Sequence, residues 1–110
     1  VELVENDLEA TPEAEATVRA AVAEMLEHGA DQIVLGCTHY PFLLPVLERV
    51  VAGRGVTVVD PSPAVARRVV QLLDRYGLHV DPAHRAEYTF RTFADEAYRL
   101  RLERKALGAL

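Results

Sequence analysis

Two short β-branched runs separated by a helical pattern constrain this chain more than any other feature. Gln32-Ile33-Val34-Leu35 and Val56-Thr57-Val58-Val59 have the length and composition of strands, and the first, opened by Gly29-Ala30-Asp31, reads as one buried on both faces. Between them Phe42, Leu43, Val46, Leu47, Val50 and Val51 recur at three- and four-residue spacing, which predicts a helix over 42–51 that ends near Gly53-Arg54-Gly55. Consecutive parallel strands need such a crossover, so the order predicts a parallel pair joined in the right-handed sense and an α/β fold with flanking helices.

The flanks extend that pattern. Thr11-Pro12-Glu13-Ala14 has the form of a helix start, with a hydroxyl cap, Pro at the first helical position and acids in the first turn. Val18, Ala21, Val22, Met25 and Leu26 then share one face, and Gly29 closes a helix over 12–28. Asp60-Pro61-Ser62-Pro63 ends the second strand and opens another helix, with Val65, Val69, Leu72 and Leu73 expected inward and Gly77 as the stop. Asp60 and Ser62 most simply cap it. Residues 78–85 read as a connection, Glu87-Tyr88-Thr89-Phe90-Arg91-Thr92 as a strand, and 95–107 as a last helix. Two or three strands make a small sheet for an independent domain, so the chain is expected to be part of something larger. Its opening in mid-pattern at Val1, without an initiating Met, fits a fragment or a processed chain.

The chemistry gathers at the turn between the first strand and the helix behind it. Gly36-Cys37-Thr38-His39-Tyr40-Pro41 holds the single cysteine, a hydroxyl and an imidazole, and Pro41 suits a first helical turn. The carboxyl edge of an open α/β sheet is where ligands bind, because loops form a crevice there and helix N-termini turn positive charge into it. A thiol so placed can act as nucleophile or as base, and the spacing alone does not choose between these or exclude a plain buried Cys37. His39 could shuttle a proton, hold an anion, orient the thiol or simply cap the turn. Thr38 offers a hydroxyl and an N–H. Glu5 follows Leu3-Val4, which reads as a strand end, and that would bring its carboxylate to the same edge as Cys37.

Composition narrows the classes. In 110 residues, 17 acids against 12 bases with no basic block disfavour nucleic acid. No apolar run reaches the roughly 18 residues of a membrane span, and no signal-peptide pattern is read at the start. A lone thiol beside an imidazole is expected in a reducing compartment, so the chain is expected to be cytoplasmic. One Cys with His at 28, 39, 79 and 84 gives no metal-ligand spacing, so no metal is expected.

The run Leu35-Gly36-Cys37-Thr38-His39-Tyr40-Pro41-Phe42-Leu43, with Leu3-Val4-Glu5 and Val58-Val59-Asp60-Pro61-Ser62, resembles the glutamate racemases of the aspartate/glutamate racemase superfamily, in their carboxyl-terminal part. Aspartate racemases tend to carry Glu where His39 stands, so His39 with Tyr40-Pro41 favours glutamate. The resemblance implies a two-domain racemase fold, with residues 1–76 in the second domain and 77–110 returning to a first domain that is absent here. It implies racemisation by two thiols without pyridoxal, metal or other cofactor, in which one thiolate removes the α-proton and the other thiol reprotonates the opposite face. Cys37 matches the second cysteine, on the L-glutamate side; His39 and Glu5 match auxiliary catalytic positions, and Thr38 a substrate contact. D-Glutamate for peptidoglycan is the implied product, and a homodimer is compatible with the resemblance. The amino-terminal cysteine loop and Asp-Ser-Gly motif of the family do not occur here, so the resemblance implies that this chain is inactive alone. A sister activity, aspartate racemisation or single-cysteine decarboxylation, and a non-catalytic binding module are the alternatives.

Overall fold

The computed structural model describes residues 1–108, which fall into two compact units, Val1–Pro61 and the part from Ser62 onward. In the first unit the elements run α1 (Glu2–Glu5), α2 (Pro12–Glu27), β1 (Gln32–Val34), a 3-10 turn (Tyr40–Leu43), α3 (Leu44–Val51) and β2 (Thr57–Val59). β1 and β2 pair in parallel with Gln32 opposite Thr57, Ile33 opposite Val58 and Val34 opposite Val59, and α3 is the crossover between them. The α/β expectation holds. The pairing extends one residue past the strands at each end, since Thr57 N–H donates to Asp31 O at 2.9 Å and Leu35 N–H to Val59 O at 3.0 Å.

The local chemistry explains the boundaries of α2. The Thr11 hydroxyl accepts from the Ala14 N–H at 3.2 Å, Pro12 occupies a position whose N–H would have no helical partner, and Glu13 and Glu15 sit at the positive end of the helix dipole. At the other end Gly29 takes φ +78°, which lets its N–H reach Leu26 O and the Ala30 N–H reach Met25 O, closing the last orphan carbonyls. The core of the unit joins Val4, Val18 and Val22 to Ile33 and Leu35 and to the apolar face of α3, with Val46 only 2% exposed. α2 and α3 pack against each other, and α3 packs on β2.

Two expectations for this unit are corrected. Leu3-Val4-Glu5 is not a strand end but the helix α1, whose amides close locally: Asn6 N–H and Asn6 Nδ2 both donate to Glu2 O, and Asp7 in the left-handed region lets the Leu8 N–H reach Leu3 O at 2.8 Å. An isolated short segment satisfies its backbone more readily this way than as a strand, which needs a neighbour. β1 is buried on one face only, with Ile33 inside and Val34 62% exposed. The helices cover the Ile33 face, and side chains alternate along a strand, so Gln32 and Val34 point the other way.

The second unit consists of α4 (Ser62–Tyr76), a segment without helix or strand, and α5 (Glu96–Gly108). α4 starts and stops where the sequence predicts, but it buries none of its residues: Val65 and Val69 are exposed, and Leu72 and Leu73 are half-buried. The expected inward face is therefore not buried: periodicity marks an apolar stripe but does not supply a surface to cover it. Residues 87–92 form no strand, because a lone β-prone stretch gains nothing without a pairing partner. Residues 78–85 are the predicted connection, turned by Asp81, which accepts from the Ala83 and His84 N–H groups. Asp95 caps α5 by accepting the Tyr98 N–H at 2.8 Å, and on that helix Arg99 pairs with Glu96 and Glu103. The Arg99 hydrogen bond holds the Glu96 carboxyl below the usual range. None of the described helices is long and apolar enough to cross a membrane.

Candidate active site

The turn that follows β1 carries the site. Leu35, the last residue bonded to β2, is buried and anchors the backbone. Beyond it the chain folds over itself, with the Tyr40 N–H donating to Cys37 O at 3.1 Å and the Phe42 N–H to His39 O at 3.2 Å. Pro41 and Pro45 occupy early positions of the 3-10 turn and of α3, where a missing N–H costs no helical bond. The cysteine and imidazole are thereby held on a tight turn bonded to the sheet on one side and to a helix on the other.

Cys37 is half-buried, and its Sγ lies 3.8 Å from Nδ1 of His39, within reach for a sulfur contact. Thr38 Oγ1 lies 3.5 Å from the same Nδ1. On the far side of the ring, Nε2 is 3.4 Å from Oε1 of Glu5, and the His39 and Glu5 side chains are each 27% exposed. Glu5 arrives by a route the sequence did not reveal: it is the last residue of α1, and its neighbour Val4, fully buried in the core, pins that short helix so that the carboxylate meets the ring. The signal available in the sequence was Val4 itself, an apolar residue directly before the acid.

A carboxylate only accepts, so the neutral tautomer that suits these partners carries its proton on Nε2, toward Glu5, and turns the Nδ1 lone pair toward the thiol. A proton leaving Cys37 has an acceptor beside it, and the imidazolium formed would sit against a carboxylate. Asp60 stands one residue beyond β2 at the same sheet edge, as its register predicts. Among the described residues no group of three or more His, Cys, Asp or Glu side chains is arranged to hold a metal ion.

The first unit also contains an apolar cavity of about 290 Å³ against α1, α2 and β1, with Leu3, Val18, Met25, Val34 and Tyr40 in its wall. The sequence did not single it out. Met25, expected inward with Val18 and Val22, is 47% exposed and lies on this wall, so the helical stripe was read wider than the core that covers it.

The sequence profile described as Asp/Glu/Hydantoin racemase matches residues 2–69, a span that includes Glu5, Cys37, Thr38 and His39. The chain belongs to this family. It is 47% identical over 78 residues to a glutamate racemase of Roseiflexus sp. (strain RS-1), a match covering 71% of this chain and 28% of that protein. A glutamate racemase of Deinococcus radiodurans is 40% identical over 98 residues, covering 89% of this chain and 33% of the relative. Among solved structures, glutamate racemase from Thermus thermophilus in complex with beta-chloro-D-alanine superposes with a TM-score of 0.70 at 33% identity, over 94% of this chain and 40% of that one. The chain therefore has the α/β racemase fold, and it spans no more than about a third of the length of these curated relatives.

Proposed function

We propose that this chain is the carboxyl-terminal portion of a glutamate racemase and supplies one of the two thiols that interconvert L- and D-glutamate. The observation that carries the reading is the convergence of Cys37, His39 and Glu5, from two separate elements, at the carboxyl edge of the parallel pair. In this reading the Cys37 thiolate takes the α-proton on the L-glutamate side, and a cysteine of the absent portion delivers a proton to the other face. His39 accepts or returns the Cys37 proton through Nδ1, while Glu5 holds the ring. The Thr38 hydroxyl and N–H receive a substrate carboxylate. An α-proton beside an ionised carboxylate is weakly acidic, so the thiolate must work in a site that excludes water and stabilises the developing charge.

With one cysteine the chain does not racemise glutamate alone, residues 77–110 complete the missing domain, and no cofactor takes part. The cytoplasm and the supply of D-glutamate for peptidoglycan are the setting, with a homodimer as the assembly. The test is complementation: the chain is mixed with the unmatched portion of one of the curated relatives, and exchange of the glutamate α-proton for solvent deuterium is followed by NMR. Exchange is expected in the mixture and in neither part alone, and Cys37→Ala is expected to abolish it. Exchange retained by the Ala variant would refute the thiol assignment. Exchange of aspartate in preference to glutamate would move the substrate to the sister activity.

A further inference from the structure

The site has the connectivity of a thiol acyl-transfer triad. Sγ of Cys37 faces Nδ1 of His39 at 3.8 Å, and Nε2 of the same ring faces a carboxylate oxygen of Glu5 at 3.4 Å, so nucleophile, base and orienting group stand in line across one imidazole. Recognition of such a constellation rests on geometry and roles rather than on sequence order or fold. Proton abstraction from an α-carbon needs a thiolate, but it does not need that thiolate to be free of attack on carbon.

Two further features favour attack on an acyl carbon. Cys37 is half-buried rather than enclosed, which leaves part of the residue open to solvent. Among the described residues, the N–H groups of Cys37, Thr38 and His39 donate to no backbone carbonyl, although the neighbouring Leu35 and Tyr40 N–H groups do. Successive unpaired N–H groups in a tight turn receive an anion, and a carbonyl carbon attacked by the sulfur develops its negative charge on oxygen beside them.

We infer that this chain by itself hydrolyses small activated esters and thioesters through an S-acyl intermediate on Cys37. In the first step the Cys37 proton passes to Nδ1 of His39, and the sulfur attacks the acyl carbon to form an S–C bond. Collapse of the oxyanion breaks the bond to the leaving group; the Nδ1 proton passes to the leaving group, or to solvent when the leaving group departs as an anion, so that Nδ1 is free again. In the second step water gives a proton to Nδ1 as its oxygen attacks the thioester carbon. The C–S bond breaks, and the sulfur recovers its proton. The sum is ester plus water to acid plus alcohol, with no oxidant, reductant or metal. Glu5 is a positioning residue here, since it touches the ring and not the reacting atoms.

The inference rests on the same three residues as the racemase reading, yet it needs one thiol and no other part of the protein. Failure of complementation would leave it standing, and its failure would leave the two-thiol reaction standing. The experiment treats the chain with p-nitrophenyl acetate, following p-nitrophenolate release by absorbance and the protein by intact mass and peptide mapping. A burst of one equivalent, an acetyl group on Cys37 that disappears with time, and steady turnover are expected. Acylation should exceed that of N-acetylcysteine at the same pH by about a hundredfold, the usual reach of a positioned base.

Cys37→Ala should remove burst and turnover. Glu5→Gln, which still offers an oxygen to Nε2–H, should stay within about threefold, while Glu5→Ala falls about tenfold, the loss expected of one orienting hydrogen bond. The proposal is overturned if the wild-type thiol reacts no faster than N-acetylcysteine, if the acetyl group maps elsewhere, or if the acetyl-protein accumulates without hydrolysis. The wild-type comparison decides the matter even if a variant fails to fold.

Discussion

Val46→Ala in α3 tests whether the first unit is held by its crossover helix. Val46 is 2% exposed and packs in the cluster that joins α3 to Ile33 and Leu35, so truncation removes two buried carbons from that core. At about 0.8 kcal/mol per carbon the transfer loss is roughly 1.6 kcal/mol. The residual cavity adds to it, and the better helix propensity of Ala returns about 0.5 kcal/mol, leaving a net loss of about 2 kcal/mol. The matching control is Val65→Ala in α4, where Val65 is 59% exposed and nothing is lost beyond surface contacts. The same propensity gain applies there, so Val65→Ala should fall between neutral and about 0.5 kcal/mol stabilising. Urea unfolding followed by circular dichroism reads both. With a slope of about 1 to 1.5 kcal/mol per molar for a chain this small, the Val46→Ala midpoint of the first unit should drop by roughly 1.3 to 2 M while that of Val65→Ala hardly moves. Equal shifts for the two variants, or a Val46→Ala loss under about 0.5 kcal/mol, would refute the assignment of the core to α3 and the exposure of the apolar face of α4.

Thr11→Ala removes the side-chain cap of α2 and should cost about 1 kcal/mol, with faster amide exchange at Ala14, whose N–H the Thr11 hydroxyl holds. On α5 the Glu96 carboxyl should titrate below the ordinary glutamate range in a carbon-detected NMR titration, because Arg99 hydrogen-bonds and attracts its ionised form; in Arg99→Gln it should return to that range. The sign follows from the lowered value: the contribution to the helix is fully present above the pKa of an unfolded glutamate and is lost as pH falls through the folded one, so acid should fray α5 in the parent and less so in Arg99→Gln. In the complemented racemase, Thr38→Val keeps the shape of the side chain but loses its hydroxyl, and it should raise KM several-fold with a smaller effect on kcat; an unchanged KM would remove Thr38 from the substrate site.

Much of the site was legible because its parts are local. The strand at Gln32, the proline-marked turn and the amphipathic α3 place Cys37 and His39 at a carboxyl sheet edge through interactions among near neighbours in the chain. Thr38 shares that turn. The approach of Glu5 was expected at the right edge but from the wrong element, since a short apolar pair before an acid serves a strand or a helix equally well until its backbone partners are known. The proposed strand over 87–92 failed for the same reason: β-propensity records a fit to a pleated surface and creates none.

The sequence by itself determined the caps of α2, the βαβ order and the position of the thiol after β1. Each depends on hydrogen bonds or side-chain periods spanning a few residues, and these are written in the order of the chain. Only the tertiary structure decided which apolar faces are covered, that β1 is buried on one side, that α4 leaves Val65 and Val69 exposed, and that Val4 fixes α1 so that Glu5 meets His39. Those outcomes depend on which surfaces meet, and a hydrophobic period states only that a face seeks burial.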